Sequence, residues 1–172
     1  MKLIYILIFE LLNLIDLRYR VRLFGNFLDK IRMFFLRKCG AKIGNNSRIG
    51  SNVFILNYKN LDIGNFSSIG KNSELFNYEI FKIGNNVDIG TQLYINTANH
   101  IFSDNKIPLS KQGAKNNPII LENDIWVGAR VTILSGSYIP ERVVIGAGSI
   151  ISKKLEKNKV YAGNPARIIN EL

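Results

Sequence analysis

Histidine, tryptophan and cysteine are nearly absent: one of each in 172 residues, with only four prolines. A single cysteine, Cys39, excludes an internal disulfide framework and a cysteine-rich metal site; it reads as a small apolar core residue. No metal site is expected. Acidic residues are also few, 13 Asp+Glu against 23 Lys+Arg, for a net charge of +10. The excess is uneven, because residues 1–40 hold eight Lys/Arg and three Asp/Glu. Such a basic surface suits nucleic acid, anionic lipid or a phosphate-bearing cofactor. No helix-turn-helix, zinc-finger spacing or RNP-like motif occurs, which argues against nucleic acid. Long apolar runs are missing as well. Residues 3–9 are apolar, but Glu10, Asn13 and Asp16 follow. That falls short of the roughly 20 residues needed to span a bilayer. No small-residue cleavage pattern marks a signal peptide. At 47% hydrophobic and 21% charged, the composition is that of a folded chain, one domain with an appendage.

Residues 1–40 read as an amphipathic helical N-terminal segment. In and around residues 3–17 the polar positions Lys2, Tyr5, Asn13, Asp16 and Arg20 fall near one narrow stripe, with aliphatic residues around the rest. A second helical face runs through Phe24, Phe27, Leu28, Ile31, Phe34 and Phe35. Arg32, Arg37 and Lys38 lie elsewhere, the last two suiting a helix C-terminus, and Gly40 suits the stop. Arg18, Arg20 and Arg22 separate the two segments. The helices either dock on the protein or a sister subunit, or lie in a membrane interface with the apolar face down.

From residue 41 the pattern changes. The stretches IGNNSRIG, IGNFSSIG and IGNNVDIG start at residues 43, 63 and 83. Aliphatic residues fall six apart: Ile43, Ile49, Ile55; Ile63, Ile69, Leu75; Ile83, Ile89, Ile95; then Leu121, Val127, Ile133, Ile139, Ile145, Ile151. This period fits neither a 3.6-residue helix nor simple strand alternation. It fits a coil of three flat faces, each placing one aliphatic side chain inside a prism, with Gly, Asn or Ser turning the corners. An ordinary all-β sandwich would not hold this register. The fold expected is all-β, a parallel β-helix of hexapeptide repeats over 41–172 after the N-terminal amphipathic helices.

One segment breaks the count. Residues 102–118, FSDNKIPLSKQGAKNNP, are polar and without register, a long loop protruding from a rigid scaffold. The sole histidine, His100, stands at its root. Residues 152–172 leave the repeat and are basic, with Lys153, Lys154, Lys157, Lys159 and Arg167. Asn164-Pro165 marks a turn, and residues 166–172 read as a short C-terminal helix.

The runs IWVGARVTILSGSYI (125–139), VIGAGSIISK (144–153) and YAGNPAR (161–167) resemble the hexapeptide-repeat acetyltransferases. The branch they resemble contains galactoside, maltose and polysaccharide O-acetyltransferases. NTANHIFSD (96–104) is similar to that branch's catalytic segment. The resemblance covers residues 41–172. It implies a left-handed coil, a homotrimer with active sites between subunits, and acetyl-CoA as co-substrate. His100 would be the catalytic general base. A neutral imidazole is available at neutral pH, and a positioned base contributes about 10²–10⁴-fold. Asp104 or a backbone carbonyl would orient it. Asn99 and Asp104 would contact the acceptor. Trp126 would wall the pocket beside the histidine of an adjacent subunit. Ala129 and Ala147 would line the pantetheine slot, the backbone near Ala129 meeting the oxyanion. Ser152, Lys153 and Arg167 would lie near the cofactor's tail and phosphates. Two departures stand out. The galactoside enzymes' acceptor-binding asparagine aligns on Leu75, with Asn77 as a nearby stand-in, and a second arginine of their CoA site is Asn170 here.

The expected function is therefore acetyl transfer to a hydroxyl of a polysaccharide or its lipid-linked precursor. The enzyme would be cytoplasmic, or peripheral on the inner face of the cytoplasmic membrane through residues 1–40. N-acetylation of an amino sugar and acetylation of a xenobiotic or free sugar are the alternatives within the family. A binding-only solenoid is the alternative outside it.

Overall fold

The computed structural model describes residues 2–15 and 22–172. Asp16, Arg18 and Arg20 lie outside the described residues, as do the side chains of Lys2, Arg22 and Phe24. Two helices, α1 (Lys2–Asn13) and α2 (Arg22–Cys39), precede a parallel β-helix whose first strand is Lys42–Ile43. Strands of two or three residues stack into three flat faces. The first face runs from Lys42–Ile43 through Leu61–Ile63, Phe81–Ile83 and Ile119–Leu121 to Tyr138–Ile139. The second runs from Arg48–Ile49 to Val143–Ile145 and the third from Phe54–Ile55 to Ile150–Ile151.

Like stacks on like. Ile49 lies beside Ile69, Ile69 beside Ile89, and Ile89 beside Val127. The repeat aliphatics are buried apart from Ile43, which is half-buried at the end of the prism. Each face in fact has two inward positions, not the one expected, because its short strand alternates. The second position holds an apolar residue (Leu61, Phe81, Val87, Leu93, Ile119, Ile125, Val131, Val143) or a buried serine such as Ser47, Ser67 or Ser73. The serines hydrogen-bond neighbouring coils: Ser67 Oγ donates to Gly84 O at 2.7 Å and accepts from Val87 N at 3.1 Å.

Two of the three corners turn on residues of positive φ. Asn46, Phe66, Asn86, Asp124, Arg142 and Asn158 form one column; Asn52, Asn72, Gln92 and Arg130 form the other. Asparagine tolerates this region best, which explains its abundance here. At these corners the backbones approach closely: a methyl on Gly70 would collide with the carbonyl of Gly90. An asparagine ladder runs up one corner, each side-chain oxygen taking the backbone N–H of the coil below: Asn45–Asn65, Asn65–Asn85 and Asn85–Asn123, all 2.8 Å. The third corner, between the third and first faces, carries all the irregular chain. It includes the 3-10 turn Tyr58–Asn60, Tyr78 and the long excursion after Asn96.

The tail is not a helix. Ala166–Glu171 is a strand antiparallel to Lys159–Gly163, which itself extends the second face. The open edge of Lys159–Gly163 offers unpaired backbone groups, and the turn at residues 163–165 returns the chain to them. Ile168 and Ile169, β-branched, suit the extended form.

Both helices cap the first coil. The buried side of α2 is Asp29, Arg32, Met33, Leu36 and Cys39. The aromatic face is split: Phe27 and Phe34 are exposed, and Leu28, Ile31 and Phe35 are half-buried. The reason is polar. Arg32 pairs with Asp29 at 3.1 Å and donates to the carbonyls of Leu12 (3.0 Å), which also takes Ile15 N at 3.2 Å, and of Ile15, just beyond the C-terminal end of α1. Met33, Leu36 and Cys39 follow Arg32 inward.

Candidate active site

The excursion at the third corner begins as a two-stranded ribbon. Ala98–His100 pairs antiparallel with Ala114–Asn116, placing His100 opposite Ala114. The ribbon's root is pinned to the prism. Thr97, fully buried, accepts from Glu79 N at 2.9 Å, and its carbonyl takes Asn117 N (2.8 Å) and Ser135 Oγ (2.7 Å). Beyond the ribbon, Gln112 ties the loop to itself: its amide donates to the carbonyls of Asp104 and Ile107, both at 2.8 Å, and accepts from Asp104 N at 3.0 Å. Thr97, Ser135 and Gln112 escaped the sequence reading, since each works through contacts remote in the chain or inside an unregistered loop.

His100 is exposed on this ribbon and opens into a cleft of about 500 Å³. Tyr78, Asn96, Asn99, Asn116 and Leu134 share the lining. The cleft holds no carboxylate. Asn96, Asn99 and Asn116 contribute to the lining beside an aromatic ring half exposed to solvent, and the Asn96 side-chain oxygen accepts Ala98 N at 2.9 Å. Tyr78 was missed because it stands at a corner whose two extra residues have no partner in the six-residue count.

Two expected site residues are elsewhere. Asp104 does not orient the imidazole: its carboxylate accepts Lys106 N at 2.8 Å, closing a turn within the loop. Asn77 does not face an acceptor: it is fully buried, and its amide pairs with both backbone groups of Asn57, at 3.0 and 2.7 Å. It is a ladder residue, and its neighbour Tyr78 is the one that reaches the cleft.

No family model matches the chain. It is 46% identical over 55 residues to the galactoside O-acetyltransferase of Escherichia coli (strain K12), a match covering 32% of this chain and 27% of that protein. It is 30% identical over 90 residues to WbbJ of the same strain, named for an O-acetyl transferase of lipopolysaccharide biosynthesis, covering 48% and 46%. The structure of a maltose O-acetyltransferase from Clostridium difficile 630 superposes with a TM-score of 0.77 at 25% identity, over 95% of this chain and 82% of that one. That of a hexapeptide-repeat acetyltransferase from Vibrio cholerae, complexed with acetyl-CoA, gives 0.78 at 23% identity, over 95% and 83%. The chain is similar to the hexapeptide-repeat acetyltransferases. It spans less than half the length of the curated relatives it matches.

The residues carried over from the hexapeptide-repeat pattern fall into two groups. Ser152, Lys153 and Arg167 line one shallow groove with Pro165 and Ala166, at the end of the same corner that bears His100. Trp126 stands on the second face between Asp88 and Val144, its ring 59% exposed. Ala129 and Ala147 stack in the corner between the second and third faces, Gly148 N donating to Ala129 O at 2.9 Å. None of these three lines the His100 cleft. Among the described residues no cluster of His, Cys, Asp and Glu could hold a metal ion.

Proposed function

We propose that the chain is an acetyl-CoA-dependent O-acetyltransferase acting on a sugar hydroxyl of a polysaccharide or its lipid-linked precursor. The observation that carries this reading is the sole histidine, held on a pinned ribbon and opening to a carboxylate-free cleft lined by three asparagines. The amides suit sugar hydroxyls, and the Tyr78 ring offers a surface for a pyranose face. Neutral His100 takes the proton of the attacking hydroxyl as its oxygen bonds to the thioester carbon. The C–S bond then breaks, and the imidazolium returns that proton to the departing thiolate. The relatives named as galactoside and lipopolysaccharide O-acetyl transferases support a glycan acceptor.

The chain works as a homotrimer in this reading. Trp126, Ala129 and Ala147 sit away from the His100 corner of their own chain, so a neighbouring subunit would supply them to the cleft. Closed threefold packing of triangular prisms brings one subunit's face against the next one's corner.

The test is thiol release from acetyl-CoA over a panel of sugars, amino sugars and oligosaccharides. Release with hydroxyl acceptors that falls about 10²–10⁴-fold in His100→Ala supports the reading. A variant that keeps the parent rate removes the base. Turnover confined to amino sugars moves the reaction to N-acetylation.

A further inference from the structure

Helix α1 is packed inside out. At about 100° per residue its polar stripe, with Tyr5 and Asn13, points the same way as Phe9. That is the side the prism buries. Phe9 and Asn13 are buried, and Tyr5 lies half-buried with its ring centroid 6.1 Å from that of Phe35. The opposite stripe is Leu3, Ile4, Leu7, Leu11 and Leu14, each between 56% and 71% exposed. An amphipathic helix docked for water presents the reverse arrangement.

Helix α2 is inverted only in part: charged Asp29 and Arg32 are inside with Met33, Leu36 and Cys39, while Phe27 and Phe34 are outside at 61% and 51% exposure. Beside the outer aromatics stand exposed Lys30 and Lys38, the latter with Nζ 5.5 Å from the Phe34 ring centroid. The one acid on the exposed side of α1, Glu10, accepts the Tyr58 hydroxyl and is drawn toward the prism.

We propose that this helical cap is a membrane-docking surface, seated in the headgroup–acyl boundary of an anionic bilayer with the α1 stripe inserted. Two arguments select a bilayer for this row of exposed aliphatic side chains. Its flank is cationic, matching anionic headgroups. A second copy would bring Lys30 and Lys38 against the same cations. The helices lie on the membrane and do not cross it. Twelve residues span about 18 Å against a core of about 30 Å, and no described helix is long and apolar enough to cross. In any threefold assembly the three caps stand at one height along the axis, so they engage one bilayer together.

The consequence for the acceptor rests on the acetyltransferase reading. His100 belongs to the third coil, two rungs of about 4.8 Å above the capped one. Adding a helix layer of about 10 Å puts the cleft roughly 20 Å from the headgroups. That is the reach of a lipid-linked glycan a few sugars long.

The test is co-sedimentation of the full chain with vesicles of phosphatidylglycerol and phosphatidylcholine, against phosphatidylcholine alone. The parent chain should pellet with the anionic vesicles. Leu7→Glu/Leu11→Glu should cut the bound fraction about tenfold or more. Lys30→Glu/Lys38→Glu should cut it several-fold and remove most of its salt dependence. All these side chains are exposed, so thermal unfolding and thiol release with a soluble acceptor should hold. Were the leucine pair to misfold, Leu3→Gln/Leu14→Gln at the helix ends carries the same expectation. A parent chain that stays in the supernatant overturns the proposal, as does equal pelleting of parent and leucine variant. A lipid-free change of oligomeric state in the leucine variant, seen by ultracentrifugation, would instead assign the stripe to contact between copies. Partition needs no acetyl transfer, so its outcome and that of the activity assay are independent.

Discussion

The side-chain amide of Asn13 pairs with the backbone of Val53 as a strand partner would, donating to its carbonyl at 2.8 Å and accepting its N–H at 3.1 Å. Val53 lies in the lowest coil, whose backbone has no rung beneath it. Asn13 therefore closes the prism at the point where the helical cap meets it. Asn13→Leu leaves both backbone groups buried and unpaired and should destabilise the chain by about 2–4 kcal/mol. A urea titration followed by far-UV dichroism reads this. An unchanged midpoint would mean that water replaces the amide.

Asn77 and Asn99 separate two roles that sequence assigned to one. Asn77→Ala removes a buried ladder contact with Asn57 and should lower stability by about 1–3 kcal/mol. Asn99→Ala, exposed in the cleft, should leave stability alone and raise KM for the acceptor about three- to tenfold, with KM for acetyl-CoA unchanged. Steady-state kinetics and thermal melts of the two variants decide it. Equal effects on both would erase the distinction.

The cap should loosen in alkali. Burial and the hydrogen bond to Glu10 push the Tyr58 hydroxyl pKa well above the usual range. A group raised in the folded state lends stability that is complete below its unfolded pKa, about 10 for tyrosine, and that is lost as pH climbs beyond it. Stability should therefore fall above about pH 10, and Tyr58→Phe should be less stable at neutral pH with a flatter alkaline limb. Thermal melts across that range provide the check. A parent and a variant with parallel alkaline slopes would acquit Tyr58.

Phe66 occupies a left-handed corner, φ +56°, in a column otherwise held by Asn46, Asn86, Asp124, Arg142 and Asn158. Its ring is exposed, so little packing offsets the strain. Phe66→Asn should stabilise the chain by about 0.5–1 kcal/mol, measured as a rise in the urea midpoint.

The columns of Ile49, Ile69 and Ile89 were legible because stacking puts chemically similar residues at equal spacing, which neither a helix nor simple strand alternation keeps. The inward serines were not, since serine is ordinarily a surface residue and only the coil above supplies its partners. The tail was read as a helix from local pattern. Its fate is set by the edge of Lys159–Gly163, a pairing that no short window contains. The burial of Arg32 rested on carbonyls at and just beyond the end of another helix. His100 was found by standing where the register fails, whereas the ring and amides around it lie in corners where periodicity carries no signal.

The asparagine ladder passes from Asn85 to Asn123 at the same 2.8 Å as its lower steps, although 38 residues rather than 20 separate the pair. Rungs above and below are therefore blind to whatever leaves and returns at the third corner. The excursion behaves as a cassette: it can be lengthened, shortened or exchanged without re-threading the solenoid. Altering which molecule the chain accepts would then need a graft at one vertex, and the body could be reused unchanged.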